Sequence, residues 1–211
     1  MDIKNQIEEV LLKHKGLTYH SDVNAFKGEL FLPDGDSYEL IINLELYPRF
    51  FPVVYEVGGR IPVKLDRHMY TDTGSCCFTT GAKSQILLKT KITSLVKFLD
   101  EIVIRYFENN SYYEINGTYF YSEYDHGSMG VVQSYQDILS ITDIKRIGRL
   151  ILQRLQNKKL SIRDLCYCNS GQSLKNCHGG LHCKNYRLFR MIDKDVLYND
   201  LKHFGSVLQM Q

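Results

Sequence analysis

The chain has no apolar run approaching the roughly 18 residues that a membrane-spanning helix needs. Its opening stretch, MDIKNQIEEVLLKHKG, carries acids where a secretory signal would need an apolar core, so a cytoplasmic protein without a membrane partner is expected. A surplus of one charge is also missing. Lys and Arg number 26 against 24 Asp and Glu, and the resulting +2 argues against a dedicated nucleic-acid binder. There is no internal repeat and no low-complexity tract, which excludes solenoid and fibrous architectures. Neither a G-x-G-x-x-G turn nor a P-loop occurs, so nothing in the chain would activate a carboxylate with ATP. What is present is ordinary globular material, 44% hydrophobic and 24% charged over 211 residues, enough for one large domain or a domain with an appendage.

The pattern along the chain predicts an α+β fold. Ile3, Ile7, Val10, Leu11 and His14 recur at helical spacing, with Gly16 beyond the end. KGELFLP and SYELIINLELYP flank the turn signal PDGD and read as an antiparallel hairpin, which VVYEV extends by a third strand. From Val63 to about Lys83 no helical period is visible, and a long loop in a compact domain is usually functional. ITSLVKFLDEIVIRYFENN then places Leu95, Val96, Leu99, Ile102, Val103 and Phe107 on one helical face and predicts a stop near Asn110. MGVVQSYQDILS, DIKRIGRLILQRLQ and RMIDKDVLYNDLKHF predict three more helices, with Asp143 capping the middle one. The tyrosines clustered after the main helix (Tyr112, Tyr113, Tyr119, Tyr121, Tyr124) and the pair Phe50-Phe51 read as packing residues.

The six cysteines fall in two places. Without an export signal they read as metal ligands or nucleophiles rather than disulfides. Cys166, Cys168, Cys177 and His178 form a C-x-C pair and a C-H pair, separated by eight residues that contain Ser170-Gly171. Three thiols and an imidazole complete a tetrahedral zinc site with no open position, which makes the site structural. His182 and Cys183 lie just outside, and either could replace His178. The stretch resembles the SEC-C zinc motif, C-x-C-x-S-G-x(5)-C-[CH], position for position. That resemblance implies the ligands Cys166, Cys168, Cys177 and His178, a structural Zn2+, and an accessory module that binds protein or, in some families, nucleic acid.

Cys76 and Cys77 sit in the long loop, where a rigid scaffold can present a reactive thiol. The order of helix, Tyr47-Pro48 and Pro52 after the strands, His68, then Gly74, Cys77 and Phe78, then a long helix resembles the ubiquitin-conjugating enzyme fold. The resemblance covers about residues 1–140. It selects Cys77 over Cys76 as the catalytic thiol, because the family separates glycine and nucleophile by two residues. The family's His-Pro-Asn flap reads His68-Met69-Tyr70 here, so an oxyanion would need another donor. Tyr70, His68 and His126, in the Asp125-His126-Gly127 turn, are the candidates.

The two resemblances imply a layout of four parts. These are a ubiquitin-conjugating-enzyme-like antiparallel meander packed on helices (1–140), a helical connector (141–160), a SEC-C-like zinc module (161–190) and a C-terminal helix (191–211). They further imply a thioester transferase of bacterial antiphage (CBASS-type) defence. Its acyl donor would be a ubiquitin-like protein or the C-terminus of a cyclic-nucleotide synthase, handed over by a separate activating enzyme or attacked directly. The rival expectation is a non-catalytic binding module on the same fold. A zinc-dependent nucleic-acid binder, resting on Lys184, Arg187 and Arg190, has only the small overall charge behind it.

Overall fold

The computed structural model describes residues 2–121 and 124–209. The fold is α+β, and packing divides it into two units: Met1–Thr79 with Leu87–Glu123, and Thr80–Ile86 with Tyr124–Gln211. Among the described residues no helix is long and apolar enough to cross a membrane.

The first unit begins with helix α1 (Ile3–Lys13), which buries Gln6 and Val10. Four strands follow, β1 (Leu17–His20), β2 (Ala25–Phe31), β3 (Ser37–Asn43) and β4 (Val53–Glu56). They pair antiparallel in chain order as a meander. β1 is one strand more than the pattern predicts. Its register sets Leu17 opposite Gly28, where the two chains run so close that a Cβ on Gly28 would lie 2.2 Å from the Gly16 carbonyl oxygen. Phe26 faces Ile42 and Leu30 faces Tyr38 across β2 and β3, while Ile42 faces Val54 across β3 and β4. Because side chains alternate between faces along a strand, these residues form one continuous buried surface. The PDGD turn closes the β2–β3 hairpin through a Leu32 N–H to Asp36 carbonyl bond of 2.7 Å, with Gly35 at φ 92°.

The main helix of this unit runs in three sections: α3 (Leu95–Phe98), a π-helical turn (Leu99–Val103) and α4 (Ile104–Asn116). Ser94 caps its start by accepting from the Lys97 N–H. Leu95, Leu99, Val103 and Phe107 are buried at intervals of four, which closes the core against the sheet. The helix does not stop at Asn110, whose buried side chain donates to the Tyr106 carbonyl and stays within the turn. It ends instead at Gly117, in the left-handed conformation (φ 69°) that a C-terminal cap requires. Tyr113 and Tyr119 pack ring on ring, Phe51 lies in the core and Tyr112 is partly exposed.

The second unit is helical. It contains the start of α2 (Gly81–Thr90), then α5 (Gly127–Leu139), α6 (Ile144–Leu155), α7 (Leu181–Phe189) and α8 (Lys194–Gln209). Asp143 caps α6 as predicted, its Oδ1 accepting the Arg146 N–H at 3.0 Å. Tyr135, Leu139, Ile147, Ile151, Phe189, Leu197 and Phe204 form the apolar centre. Gln85 and Asp193 exchange two hydrogen bonds, of 2.9 and 2.7 Å, tying the start of α2 to the start of α8. α5, which the resemblance to the ubiquitin-conjugating enzyme fold would set with the sheet, packs in this unit with α6, α7 and α8.

Candidate functional site

The loop from His68 to Cys77 is a tight double-backed turn of the first unit. Cys77 N–H donates to the His68 carbonyl (2.7 Å), Tyr70 N–H to the Ser75 carbonyl (2.8 Å) and Gly74 N–H to the Tyr70 carbonyl (2.7 Å). Gly74 supplies the positive φ (71°) that the reversal needs. Met69 and Cys76 face each other as an antiparallel bridge, and Cys76 N–H donates to the Val54 carbonyl at 2.8 Å, which fastens the loop to β4.

Alternation along this short ladder separates the two neighbouring thiols. Cys76 is buried in the core, and burial pushes its thiol up to about 12. Cys77 is only half-buried. Tyr106 of α4 fixes the loop from below: its hydroxyl donates to the His68 carbonyl at 2.9 Å and lies 3.2 Å from the Met69 Sδ. His68 itself adopts a left-handed conformation (φ 50°) at the end of the 3-10 turn Leu65–Arg67, and its ring meets the Tyr119 ring edge-on at 5.3 Å.

Of the residues singled out from sequence, Cys77, His68 and Tyr70 therefore share one loop. Tyr70 is exposed there, and Cys77 and His68 are joined through the backbone. His126 is the exposed N-cap of α5 and belongs to the second unit. Sequence reasoning missed two supporting residues. One is Tyr106, which was legible as a tyrosine on the buried face of the main helix, where a hydroxyl needs an acceptor. The other is Arg67, a buried cation stacked over Tyr113 at 4.3 Å and donating to the Asn110 Oδ1 at 3.0 Å.

The second cluster lies in the second unit, where Cys166, Cys168, Cys177 and His182 bring their ligand atoms within 4.8 Å of one another. Cys166 Sγ is 3.2 Å from the His182 Nδ1, Cys168 Sγ is 3.3 Å from the Cys177 Sγ, and Cys177 Sγ is 3.6 Å from the His182 Nδ1. A tetrahedral zinc ion with ordinary bond lengths would space sulfur from sulfur by about 3.8 Å and sulfur from nitrogen by about 3.6 Å, so the group fits such an ion with small adjustments.

The imidazole of this group is His182, the replacement that the sequence left open, where the motif resemblance implies His178. The reason lies in the turn between them. Cys177–Gly180 is a 3-10 turn in which His178, Gly179 and Gly180 all have positive φ (47°, 62° and 86°). That reversal leaves His178 exposed, its Nε2 4.0 Å from the Cys168 Sγ, and starts α7 so that its first turn presents His182 inward. The signal was the His-Gly-Gly sequence, which marks a left-handed turn after Cys177 and favours a ligand further along.

The surroundings hold the group in shape. Tyr167 stacks on the His182 ring (4.9 Å, 25°) and donates its hydroxyl to the Leu139 carbonyl at 2.8 Å. Arg146 Nη1 donates to the Tyr167 carbonyl at 3.0 Å. Cys166 N–H donates to the Gln172 carbonyl at 2.8 Å, and Leu165 bridges Ser173, so Cys166 and Cys168 sit on a short hairpin turned by Asn169 and Gly171. Burial raises the Cys166 thiol. At Cys168 burial also pushes upward, but hydrogen bonds from Ser170 and Cys177 outweigh it and lower that thiol.

Comparison with known proteins finds no family model, no curated protein and no solved structure that matches this chain.

Proposed function

We propose that the first unit is a ubiquitin-conjugating-enzyme-like thioester transferase with Cys77 as its nucleophile, and that the second carries a structural zinc ion on Cys166, Cys168, Cys177 and His182. The observation that carries the first half is the division of labour between adjacent thiols: one buried and raised to about 12, the other half-exposed on a loop fastened at both ends. The order of helix, antiparallel meander, loop thiol and long helix supports the same reading, and the family resemblance supplies the antiphage setting.

In the transfer, the Cys77 thiolate attacks the carbonyl of a partner protein's activated C-terminus. A carbon–sulfur bond forms as the donor's leaving group departs with its electron pair. An acceptor amine then attacks the thioester, a carbon–nitrogen bond forms, and Cys77 leaves as thiolate while the amine's proton passes to a base. His68, whose backbone carbonyl accepts from the Cys77 N–H, is the candidate base, and Tyr70 is the candidate donor to the oxyanion. The zinc ion, when bound, supplies cross-linking of the module rather than chemistry on substrate, because four protein ligands leave it no open position.

A second reading, a non-catalytic binding module, is favoured by one observation: the loop reads His68-Met69-Tyr70 and lacks the family's asparagine. Intact mass after co-expression with neighbouring genes separates the two readings. The transferase gives an added mass that disappears with thiol reductant and with Cys77→Ala but persists in Cys76→Ala. Clean, unmodified masses with partners still co-purifying give the binding module.

A further inference from the structure

The division into two units separates charges that the total conceals. The second unit holds 14 Lys and Arg against seven Asp and no Glu, a net +7, while the first holds 12 against 17, a net −5. Together these make the +2 of the whole chain. A dication on three thiolates would lower the second unit's surplus by only one charge.

Much of this surplus gathers at one end of the second unit. Arg154 Nη2 donates to the Arg190 carbonyl (3.4 Å), Lys194 Nζ to the Leu155 carbonyl (3.1 Å), and Leu160 N–H to the Tyr186 hydroxyl (2.9 Å). These bonds bring the end of α6, the loop after it and the end of α7 to one place. Lys158 and Lys159 on the loop, Arg187 on α7 and Arg190 just after it are exposed there, with Lys184 one turn back on the same side of the helix. The acids nearest in chain are Asp164, Asp193 and Asp195; Asp164 accepts from the Ser161 N–H and Asp193 is bonded to Gln85. From Gln156 to Lys159 the loop reads Gln-Asn-Lys-Lys, with no apolar side chain.

Crowded cations match a phosphate backbone, which is held by charge and hydrogen-bond donors alone. A protein partner would also need a desolvated apolar centre beside the charge, whereas the exposed apolar side chains nearest in chain, Leu152, Ile162 and Met191, are single residues set among Arg154, Arg163 and Arg190. We propose that this basic end of the second unit binds a nucleic-acid strand through its phosphates. The surface is independent of Cys77, and its test does not depend on transfer chemistry.

The test is fluorescence anisotropy of the full chain with labelled single-stranded RNA, single-stranded DNA and duplex DNA. Engaging about four phosphates gives a slope of log affinity against log salt of about −3 to −4, so raising KCl from about 50 to about 200 mM weakens binding about 50- to 150-fold. The combined variant Lys158→Gln, Lys159→Gln, Arg187→Gln, Arg190→Gln should bind at least about tenfold more weakly at the lower salt. Its melting curve and zinc content check that it folds, and a variant that fails this check is replaced by the Lys158→Gln, Lys159→Gln pair in the loop. Lys4→Gln with Lys27→Gln, in the first unit, should change nothing. No binding to any of the three probes at the lower salt, or unchanged affinity in the folded variant, would overturn the proposal. Displacement of the strand by polyglutamate as readily as by unlabelled strand would overturn it in favour of an acidic protein partner.

Discussion

Replacing His182 by alanine should uncouple the C-terminal module, whereas replacing His178 should not. His182 is buried, 3.2 Å from the Cys166 Sγ and stacked on Tyr167, while His178 is exposed at the edge of the group. An ion held by Cys166 and His182 closes a loop whose ends are 16 positions apart. By the chain-entropy relation for a cross-link of that length, closure contributes about 3 kcal/mol to the stability of the folded unit. For a unit of this size that corresponds to a fall in melting temperature on the order of 12–24 °C when the clip is lost. An exposed histidine away from such a feature changes stability by no more than about 0.5 kcal/mol. The assay is zinc content of the purified full chain after dialysis against a mild chelator, read by metal analysis and by release to a colorimetric chelator, with melting followed by circular dichroism. Wild type and His178→Ala should keep one equivalent and melt together; His182→Ala should lose most of its zinc and melt early. The opposite ranking, with His178→Ala losing the metal and His182→Ala keeping it, would refute the ligand assignment. Equal retention in all three would refute the clip.

Two further outcomes are expected from the first unit. Tyr106→Phe removes the donor to the His68 carbonyl and should cost about 1 kcal/mol in urea unfolding. Its amide exchange should quicken in residues 68–77, and unchanged protection there would show that the hydroxyl does not hold the loop. The Asp36 carboxyl is held down to about 2, chiefly by its hydrogen bond from Arg60, against an ordinary 3.8. The unfolded chain therefore takes up this proton first, so the pair's contribution is complete above about pH 4 and fades as pH falls towards about 2. The stability gap between wild type and Arg60→Gln should accordingly be flat near neutrality and narrow on acidification, leaving what Arg60 gains from the Tyr38 ring. A gap that stays constant down to about pH 2 would contradict the pairing.

The elements that show in the sequence are those whose apolar residues line one side. The β2–β3 hairpin, α1, α5, α6 and α8 all have that pattern, and the turn signals between them fall where the chain turns. α2 is invisible for a physical reason: it buries Ala82, Ser84, Gln85 and Ile86 together, so small and polar side chains occupy core positions and no apolar period arises. α7 is short and follows a glycine turn that interrupts any pattern across it. At the metal group the ligand types and three of the four positions were legible from spacing. The fourth depended on the handedness of a turn, which spacing does not encode. The segregation of charge was present in the residue order, but it acquires meaning only once packing shows which residues belong to which unit.

The π turn at Leu99–Val103 sets the phase of everything after it. Leu95, Leu99, Val103 and Phe107 repeat every four residues, and in an uninterrupted α-helix each such step overshoots a full turn by about 40°. Three steps would swing Phe107 about 120° away from Leu95 and carry Tyr106 off the loop it supports. The wider turn absorbs that overshoot, so one helix keeps a single bearing from the sheet to the cysteine loop. Removing one residue from the wide turn would leave a rotation of about 1,100° from Leu95 to Phe107, three turns and about 20°, so an ordinary α-turn would then keep the same bearing and the Tyr106 hydroxyl would still face His68.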